Sequence, residues 1–555
     1  MNNQKKLKLI PLGGMGEVTQ NMFLYQYDQE ILIIDCGIGF PDQYMPGADI
    51  IIPDISYLLK QLDQGKKIVG MVLSHGHDDH IAALPYLLPE LPDFPIYASA
   101  LTAGFAQQRI RDGSIKKKIE TIRDHEVIEL GENFTVTPFA VTHSVPDTKH
   151  LLVKTPEGII YHGSDFKLDK HPVDGVVSDL AMMKQAGEDG VILMLLDCLR
   201  VERLDWSKTE STTGPAIEKE ILDCQGKFIV TLMSSHIHRI QQVIDIAAKH
   251  DRKVVFVGRS VEQNVKVAEQ LGKLTMPAGI RVNKKKMNQF KDGELVMIIA
   301  GSQGQEGSSL QRAVFGEHRT IQISQRDKVV FSADAIPGNE IPYYHSIDEL
   351  SKNKIDVVYP GISKDIHHTG HASAAEQIAV VDLVKPKFLM PIGGADRHRE
   401  LFRRRVAHKL DYQDKQILIP ETGEVIAISN GQWQISEKIS LTPKIVDGLG
   451  VGDVGPVVLS DRRALSEAGM VVVVIPRHQD RFKLDKIEVV SRGFVFMKQA
   501  DEVIKFIEDT AANIITQNQS LKDYALKKEI EKQLSKEVYK IIQREPVVVA
   551  VILDE

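Results

Sequence analysis

Five potential metal ligands lie within six residues of this sequence, in the run His75-Gly-His77-Asp78-Asp79-His80. The run follows an apolar stretch typical of a buried strand, and a helical pattern at Asp79–Leu88 overlaps its end. Imidazole nitrogens combined with carboxylate oxygens suit Zn²⁺ or Mn²⁺ better than an ion that prefers thiolates. A histidine-rich polar turn is the alternative interpretation, and the density of ligand groups argues against it.

Further ligand groups occur where other predicted strands end. Asp35, His143 and Asp165 each follow a short apolar run of strand length. Alone, each is consistent with a turn residue that binds local amides. Together with the histidine cluster they predict a metal centre at the ends of neighbouring strands. Two divalent ions held there would lower the pKa of a bound water and offset negative charge on a phosphoryl or acyl centre, so the predicted chemistry is metal-assisted hydrolysis.

The elements that position these residues follow an α/β pattern. Strand-length apolar runs alternate with helical periodicity in the first half, and the alternation resumes as a second α/β unit between about residues 207 and 365. Glycines in Val446–Gly455 interrupt the periodicity and predict a linker or hinge. A small domain follows, with strands at Met470–Ile475, Ile487–Val490 and Pro546–Leu553 and helices at Asp501–Ile515 and Leu521–Ile542.

Length and composition indicate a globular protein of several domains. The 555 residues correspond to three or four domains, and 43% apolar with 26% charged residues exclude collagen, extended disorder and a disulfide scaffold. With 68 basic and 75 acidic residues the net charge is −7, so a nucleic acid would need a local basic groove. The three widely spaced cysteines, the absence of a signal-peptide pattern and the lack of a membrane-length apolar run predict a cytoplasmic protein without a membrane partner.

The ordered series of ligand groups resembles the motifs of the metallo-β-lactamase superfamily. The resemblance implies two divalent ions, with Zn²⁺ expected and Mn²⁺ as the alternative. It assigns His75, His77 and His143 to one ion, Asp79 and His80 to the second, and Asp165 to a bridging position.

The chain also resembles the β-CASP nucleases, and within them the ribonuclease J family. About 200 residues separate Asp165 from the next histidine-rich element, which begins at His367. The matching stretches are Leu12–Glu17, Gly37–Pro41, Ser235–Arg239, Gly258–Ser260, Gly301–Gly304, Phe331–Glu340 and Ser491–Phe494. The implied fold is α/β: a metallo-β-lactamase αββα sandwich in residues 1–206 and 366–445, an inserted α/β β-CASP domain in 207–365, and a linker with a small α/β dimerisation domain in 446–555.

This resemblance implies a metal-dependent ribonuclease in RNA processing and decay. The expected activity is 5′→3′ exonucleolytic, with a preference for 5′-monophosphate ends and with endonucleolytic cleavage as a second activity. The expected products carry a 5′-phosphate and a free 3′-hydroxyl. The implied partners are RNA, further copies of the chain in a homodimer or homotetramer through the C-terminal domain, and a paralogous ribonuclease subunit or other RNA-decay proteins.

The resemblance also assigns catalytic and RNA-binding residues. His371 is expected to stabilise the scissile phosphate or protonate the leaving 3′-oxygen, and Asp79 to handle the proton of the attacking water. Strand-end hydroxyls, imidazoles, guanidinium groups and glycine amides are suitable donors for a phosphate backbone. The expected RNA contacts are Ser235, His238, Arg239, Arg259, Ser260, Ser302, Gln303, Ser332, His367, Thr369, Gly370 and His371.

The sequence departs from the family pattern at Gly393, where the family has a histidine that binds the second metal. Glycine has no side chain to donate, so three outcomes follow: a weaker second ion completed by water, replacement of the ligand by His398 or Asp396, or a single-metal enzyme. We favour two ions with the second one weakened, because Asp79, His80 and Asp165 all remain.

Two other functions are compatible with the sequence. A weakly active or inactive paralogue that binds RNA and scaffolds an active ribonuclease is suggested by Gly393, whereas the intact histidine cluster argues against it. A small-molecule hydrolase of the lactamase or glyoxalase type is disfavoured by the long insertion.

Overall fold

A computed structural model describes residues 5–42, 44–336, 339–448, 450–479, 481–494 and 500–554. The chain divides into two compact units. The first contains residues up to Gly39 together with Ile52–Pro443, and the second contains Phe40–Ile51 and residues from Lys444 onward. Within the described residues, no helix combines the length and apolar character needed to cross a bilayer.

The strands are numbered in chain order. They are β1 (Leu7–Pro11), β2 (Phe23–Tyr27), β3 (Glu30–Ile34), β4 (Ile50–Ile52), β5 (Lys67–Leu73), β6 (Ile96–Ala98), β7 (Glu120–Thr121), β8 (Ile128–Leu130), β9 (Phe134–Ala140), β10 (Lys149–Thr155), β11 (Gly158–His162), β12 (Val191–Asp197), β13 (Phe228–Thr231), β14 (Lys253–Val257), β15 (Leu295–Ile299), β16 (Lys328–Phe331), β17 (Asp356–Val358), β18 (Phe388–Ile392), β19 (Glu424–Ser429), β20 (Gln432–Lys438), β21 (Lys444–Asp447), β22 (Gly450–Val451), β23 (Met470–His478), β24 (Arg481–Phe482), β25 (Glu488–Arg492) and β26 (Val547–Asp554).

The α-helices follow the same order. They are α1 (Ser56–Asp63), α2 (Asp78–Ile81), α3 (Leu84–Leu87), α4 (Ala100–Asp112), α5 (Leu180–Asp189), α6 (Thr213–Leu222), α7 (Ile237–Lys249), α8 (Arg259–Gln270), α9 (Ser309–Val314), α10 (Glu340–Lys352), α11 (Ala374–Val384), α12 (Asp396–Phe402), α13 (Pro456–Ala468), α14 (Ala500–Gln517) and α15 (Asp523–Ile542). Short 3₁₀ turns lie at Leu88–Glu90, Glu210–Thr212, Lys284–Gln289, Asp292–Glu294, His408–Leu410, Asp414–Gln416 and Leu484–Lys486, and a π turn lies at Arg403–Ala407.

Two mixed sheets face each other in the first unit. Among the described residues, one sheet has eight strands in the order β20-β19-β1-β2-β3-β5-β6-β7, and the other has six in the order β18-β12-β11-β10-β9-β8. One buried apolar cluster contains side chains of both sheets, such as Phe23 and Leu195, which places a core between them. A second cluster joins the six-stranded sheet to α5, α11 and α12. This arrangement is the expected αββα sandwich.

The chain leaves the sandwich after β12 and returns to it at β18, which pairs in parallel with β12. Between these strands it forms a parallel five-stranded sheet in the order β14-β15-β13-β16-β17, as counted in the described residues. Strands such as Leu295–Ile299 are apolar and buried throughout, as expected where helices cover both faces of a parallel sheet. The helical periodicity that the sequence shows in this region corresponds to helices that include α7 and α8. The predicted boundaries at 206/207 and 365/366 stay predictions, because the two compact units do not separate there.

Two predicted elements differ from the structure. The helix expected at Asp79–Leu88 is divided into α2 and α3, because Pro85 has no N–H to bond the carbonyl of Ile81. The linker expected at Val446–Gly455 contains strand residues, since β21 and β22 form a three-stranded sheet with β4. The short β-hairpin therefore gives this glycine-rich segment backbone hydrogen bonds of its own.

The second unit has a central strand, β23, which pairs with β25 in an antiparallel arrangement and with β26 in parallel. The two helices predicted for this region are confirmed as α14 and α15. Their apolar residues pack on the sheet in one buried cluster that contains Val473, Ile507 and Leu534. This pattern is a small α/β domain, as expected.

One buried guanidinium connects the inserted sheet to the segment that leads back into the sandwich. Arg239 is 1% exposed, and its Nε and Nη2 donate to the carboxylate of Glu210 at 2.8 and 2.6 Å. Its other N–H groups donate to the carbonyl oxygens of Ser332 and His368 and to Nδ1 of His367. All five N–H groups of Arg239 are therefore used, and they fix the segment that precedes His371.

The Arg239–Glu210 pair should contribute strongly to stability, because each partner is buried and leaves an unpaired charge when the other is removed. Glu210→Gln is expected to lower the free energy of unfolding by about 3 kcal/mol or more in chemical denaturation. Arg239 and His236 hold the pKa of Glu210 well below its ordinary value of 4.5 despite its burial. The pair's stabilisation is therefore complete above pH 4.5 and is lost as the pH falls below it, so the difference between wild type and variant should shrink in acid.

Glu220→Gln is the matched control, because Lys328 keeps Asp223 and Asp356 as partners when Glu220 is neutralised. Equal destabilisation by both substitutions would contradict the special role assigned to Glu210.

Candidate metal centre

Three imidazole nitrogens converge at the ends of β5 and β9. Nδ1 of His77 lies 3.2 Å from Nε2 of His75 and 3.1 Å from Nε2 of His143. Ligand atoms around a tetrahedral Zn²⁺ at about 2.0–2.1 Å are roughly 3.3 Å apart. The three nitrogens therefore have the mutual spacing of ligands on one face of a metal ion, and Asp165 belongs to the same group.

The outward nitrogen of each of these rings faces an acceptor. Nδ1 of His143 donates to the carbonyl oxygen of Gly370 at 2.7 Å, and Nε2 of His77 lies 3.2 Å from Oγ of Ser144. Nδ1 of His75 lies 3.0 Å from Oγ of Ser74, whose own proton is donated to Asp35. Since each ring carries its proton on the outer side, three lone pairs point at one another.

A second group of ligands adjoins the first. Nε2 of His80 lies 3.9 Å from Oδ2 of Asp79 and 3.7 Å from Oδ2 of Asp165. The same oxygen of Asp165 is 3.5 Å from Nε2 of His75 and 3.6 Å from Nε2 of His143. Asp165 therefore lies between the two groups, which is the place of a bridging carboxylate.

Asp35 orients His80 from behind. Its Oδ2 accepts from Nδ1 of His80 at 2.7 Å, and its Oδ1 accepts from the backbone N–H of Ser74 at 2.7 Å. The side-chain amide of Asn21 lies 3.1 Å from Nε2 of His80. A carboxylate behind a histidine raises the basicity of the ring and fixes its orientation for a metal.

The glycine at 37 allows this arrangement to form. A Cβ built on Gly37 would lie 1.6 Å from the backbone oxygen of Asp79, so any side chain there would displace the ligand segment.

The electrostatics of the cluster fit a cation. Burial lowers the pKa of His75, His77 and His143 well below the usual value, so all three rings are neutral, the form in which imidazole binds metals. Burial alone would also lower the pKa of His80, but Asp35, Asp165 and Asp79 raise it to about 10. Burial raises the pKa of Asp165 to about 7. Three neutral imidazoles beside carboxylates that favour a positive charge on His80 are compatible with a metal site.

His371 and Asp197 complete the site on the side of β12. Nδ1 of His371 donates to Oδ2 of Asp197 at 2.8 Å, and its Nε2 lies 3.8 Å from Oδ2 of Asp165. The sequence analysis predicts a catalytic role for His371 and does not include Asp197 among the candidate residues. The available signal was the one used for Asp35: an aspartate directly after a buried apolar run, here Val191–Leu196.

Gly393 lies beside the carboxylates of this site. It has a positive φ of 65°, and a Cβ built on it would meet Oδ1 of Asp197 at 3.7 Å and Oδ1 of Asp165 at 3.8 Å. A side chain at this position would therefore lie at ordinary contact distance from the carboxylates of Asp165 and Asp197, although the positive φ strains any residue other than glycine.

Neither proposed replacement ligand lies in the cluster. His398 is buried with Nε2 3.7 Å from Glu202, and the side chain of Asp396 is 85% exposed and paired with Arg399. In the part of the chain that the structure describes, neither residue belongs to a group of potential ligands. Both side chains therefore lie outside the cluster in this structure, and replacement of the missing ligand by His398 or Asp396 stays a prediction that the geometry does not support.

The expected RNA contacts lie after the carboxyl ends of four parallel strands of the inserted sheet and in the segment before His371. Ser235, His238 and Arg239 follow β13, Arg259 and Ser260 follow β14, Ser302 and Gln303 follow β15, and Ser332 follows β16. His367, Thr369 and Gly370 precede His371, and Ser332 Oγ donates to the carbonyl oxygen of Ile366 at 2.6 Å. The ends of parallel strands are the usual edge for ligand binding in an α/β sheet.

Not all of these residues have free donors. Arg239 is saturated, and Gln303 uses its amide on the backbone of Asp334 and Ile336. His238 Nε2 lies 3.1 Å from a carboxylate oxygen of Asp174. In this structure the donors of Arg239 and Gln303 hold loops in place, and direct contact of either residue with phosphate stays a prediction. Arg259 is exposed at the start of α8, and Ser260, His367 and Thr369 are half-buried.

Comparison with known proteins agrees with this architecture. The family model described as "Metallo-beta-lactamase superfamily" matches residues 15–162, "Ribonuclease J, beta-CASP domain" matches 225–350, and "Ribonuclease J C-terminal domain" matches 457–555. Ribonuclease J of Thermus thermophilus is 34% identical over 560 residues, covering 99% of this chain and 96% of that protein. Ribonuclease J2 of Bacillus subtilis is 30% identical over 558 residues, covering 100% and 99%.

A solved structure of a protein of unknown function from Enterococcus faecalis aligns with a TM-score of 0.53 at 16% identity, covering 76% of this chain and all of that chain. This likeness concerns the fold alone. The three family models occur in the order expected from the sequence, and the relatives align over nearly their whole length. This chain belongs to the ribonuclease J family of the metallo-β-lactamase superfamily.

Proposed function

We propose that this protein is a metal-dependent ribonuclease that hydrolyses RNA phosphodiester bonds at the cluster around Asp165. The observation that carries the proposal is the convergence of histidine lone pairs on one carboxylate oxygen, with each outer nitrogen held by an acceptor. Such an arrangement is unfavourable without a cation and is suited to hold one. The names of the relatives support RNA as the substrate class.

The chain's own residues supply the surroundings of the reaction. His75, His77 and His143 would hold one divalent ion, Asp79 and His80 a second, and Asp165 both. When bound, such ions activate water and offset the charge that develops on a phosphate. Asp79 is the proposed acceptor of a proton from the attacking water, and the 5′-phosphate and the 3′-hydroxyl are the expected products.

His371 is the proposed general acid. Asp197 holds its Nδ1 at 2.8 Å, which directs Nε2 toward Asp165. A scissile phosphate beside Asp165 would therefore have its leaving 3′-oxygen within reach of Nε2.

The proposed direction of cleavage is 5′→3′ from a 5′-monophosphate end, with endonucleolytic cleavage as a second activity. Support comes from the sheet edge that adjoins the cluster. It presents exposed Arg259 and the N-terminal ends of α7 and α8, which favour anionic groups. We also propose a cytoplasmic location in RNA processing and decay, a homodimer or homotetramer through the C-terminal domain, and association with a paralogous subunit or other RNA-decay proteins.

The proposed cofactors are two divalent ions, Zn²⁺ or Mn²⁺, with the second one bound more weakly. The second group has one imidazole, from His80, and position 393 supplies no side chain. This observation also favours a second candidate function: a weakly active paralogue that binds RNA and scaffolds an active ribonuclease. Product release from a 5′-labelled RNA by the purified protein distinguishes the two, since a scaffold would bind the RNA without turnover.

Replacement of the ligands should abolish turnover. His77→Ala and Asp165→Ala are each expected to reduce the rate of RNA hydrolysis at least about 100-fold and to lower bound metal, because each removes a ligand of the first ion. Metal content and hydrolysis of a 5′-monophosphorylated RNA are measured together. His125→Ala is the control, since this exposed histidine contacts Asp179 away from the cluster. Wild-type rates in the ligand variants would refute the assignment.

A histidine at position 393 should strengthen the second site. Gly393→His is expected to tighten binding of the second ion at least about tenfold in a metal titration, because the new ring would point at Asp165. Gly431→His is a matched control: Gly431 has the same φ of 65°, so the backbone strain is equal, and its nearest neighbour is Lys387. Unchanged affinity for the second ion in Gly393→His would contradict the proposed cause of the weak site.

Loss of His371 should separate chemistry from metal binding. His371→Ala is expected to reduce the turnover number about 100-fold, as for removal of a general acid, while metal content stays at the wild-type value. Loss of metal in this variant would instead identify His371 as a metal ligand, since it forms a further group of potential ligands with Asp165 and Asp197.

A further inference from the structure

Arg200 lies close to the reacting site without an assigned part. It comes three residues after Asp197, in the loop that follows β12. An isolated parallel bridge joins its backbone to Ser373, two residues after His371. The fold therefore attaches this arginine to both partners of the Asp197–His371 hydrogen bond.

The guanidinium of Arg200 has unused donors. Its Nη2 donates to Oδ2 of Asp334 at 3.1 Å, and its Nε is buried without a hydrogen-bond partner. Among the residues that the structure describes, Asp334 is the one hydrogen-bond partner found for this guanidinium. Arg239, by contrast, has every N–H occupied. A planar fork with spare donors is the group best suited to bind a phosphate.

The ion pair between Arg200 and Asp334 joins loops that follow two different sheets of the first unit. Arg200 follows a strand of the six-stranded sheet, and Asp334 follows β16 of the five-stranded sheet. Nε2 of His367 lies 3.8 Å from the same oxygen of Asp334. Burial lowers the pKa of His367 well below its usual value, and the charges of Arg239 and Arg200 lower it further.

We infer that Arg200 is a substrate-binding residue that exchanges Asp334 for a phosphate of the RNA next to the one that is cut. The exchange replaces one singly charged partner with another, so the charge balance at the guanidinium is kept. The side chains are 32% and 39% exposed, and a pair this open is weak and readily exchanged. The inference rests on the proposed function, because it names an RNA contact of that same site.

The experiment measures RNA affinity as a function of salt, with EDTA present so that no turnover occurs. A short 5′-monophosphorylated RNA with fluorescein at its 3′ end is titrated with the full chain between about 50 and 300 mM KCl. Arg200→Ala is expected to weaken binding about tenfold and to reduce the slope of log Kd against log salt by about 0.7, the value of one phosphate contact on a single strand.

Three further variants separate contact from structure. Arg200→Lys should recover most of the slope, because it keeps the charge. Asp334→Asn should tighten binding, because it frees the guanidinium. Arg326→Ala removes an equal charge from an exposed site before β16, at the opposite end of that strand from Asp334, and should leave affinity unchanged.

Two results would overturn the inference: wild-type affinity and slope in Arg200→Ala, or weakened binding in both Arg200→Ala and Asp334→Asn, which would indicate a structural ion pair. Failure of the proposed function has a different signature: with metal present and without EDTA, the wild-type protein releases no product from the same RNA, whatever its affinity for it.

Discussion

The arrangement of the first unit depends on an electrostatic constraint: several buried lone pairs are directed at one carboxylate. His75, His77 and His143 are neutral, and their inner nitrogens approach within 3.2 Å of one another. Lone pairs at this distance repel, and burial removes the water that would separate them. These nitrogens would instead be stabilised as ligands if a cation were bound between them. The hydrogen bonds to Gly370, Ser144 and Ser74 keep each ring in the tautomer whose inner nitrogen is unprotonated.

The sandwich and the inserted sheet have separate parts in this arrangement. Strand ends of the sandwich carry the candidate metal ligands, and strand ends of the inserted sheet form the edge proposed to bind the RNA. The segment before His371 connects the two, since Gly370 supports His143 while His367 and His368 are bonded to Arg239. Displacement of this segment would therefore disturb the ligand cluster and the substrate edge together.

Much of this organisation is predictable from the sequence, because ligand type and strand-end position are local properties. The donors at His75, His77, Asp79, His80, His143 and Asp165 do meet in space, as their positions after apolar runs predict. By contrast, whether an arginine has unused hydrogen-bond donors is not a local property of the sequence. Arg239 is saturated because the fold brings Glu210, Ser332 and His368 around it, and these residues are distant in the sequence. For the same reason, spacing alone cannot show that His398 turns away from the cluster while Asp197 faces it.

The most direct test of the account is the metal content of the purified protein, measured together with its rate of hydrolysis of a 5′-monophosphorylated RNA as ions are removed and restored. The account predicts at least one firmly held transition-metal ion per chain, loss of hydrolysis on chelation, and recovery with Zn²⁺ or Mn²⁺. A protein that contains no such ion, does not respond to added metal and still degrades RNA at full rate would contradict it.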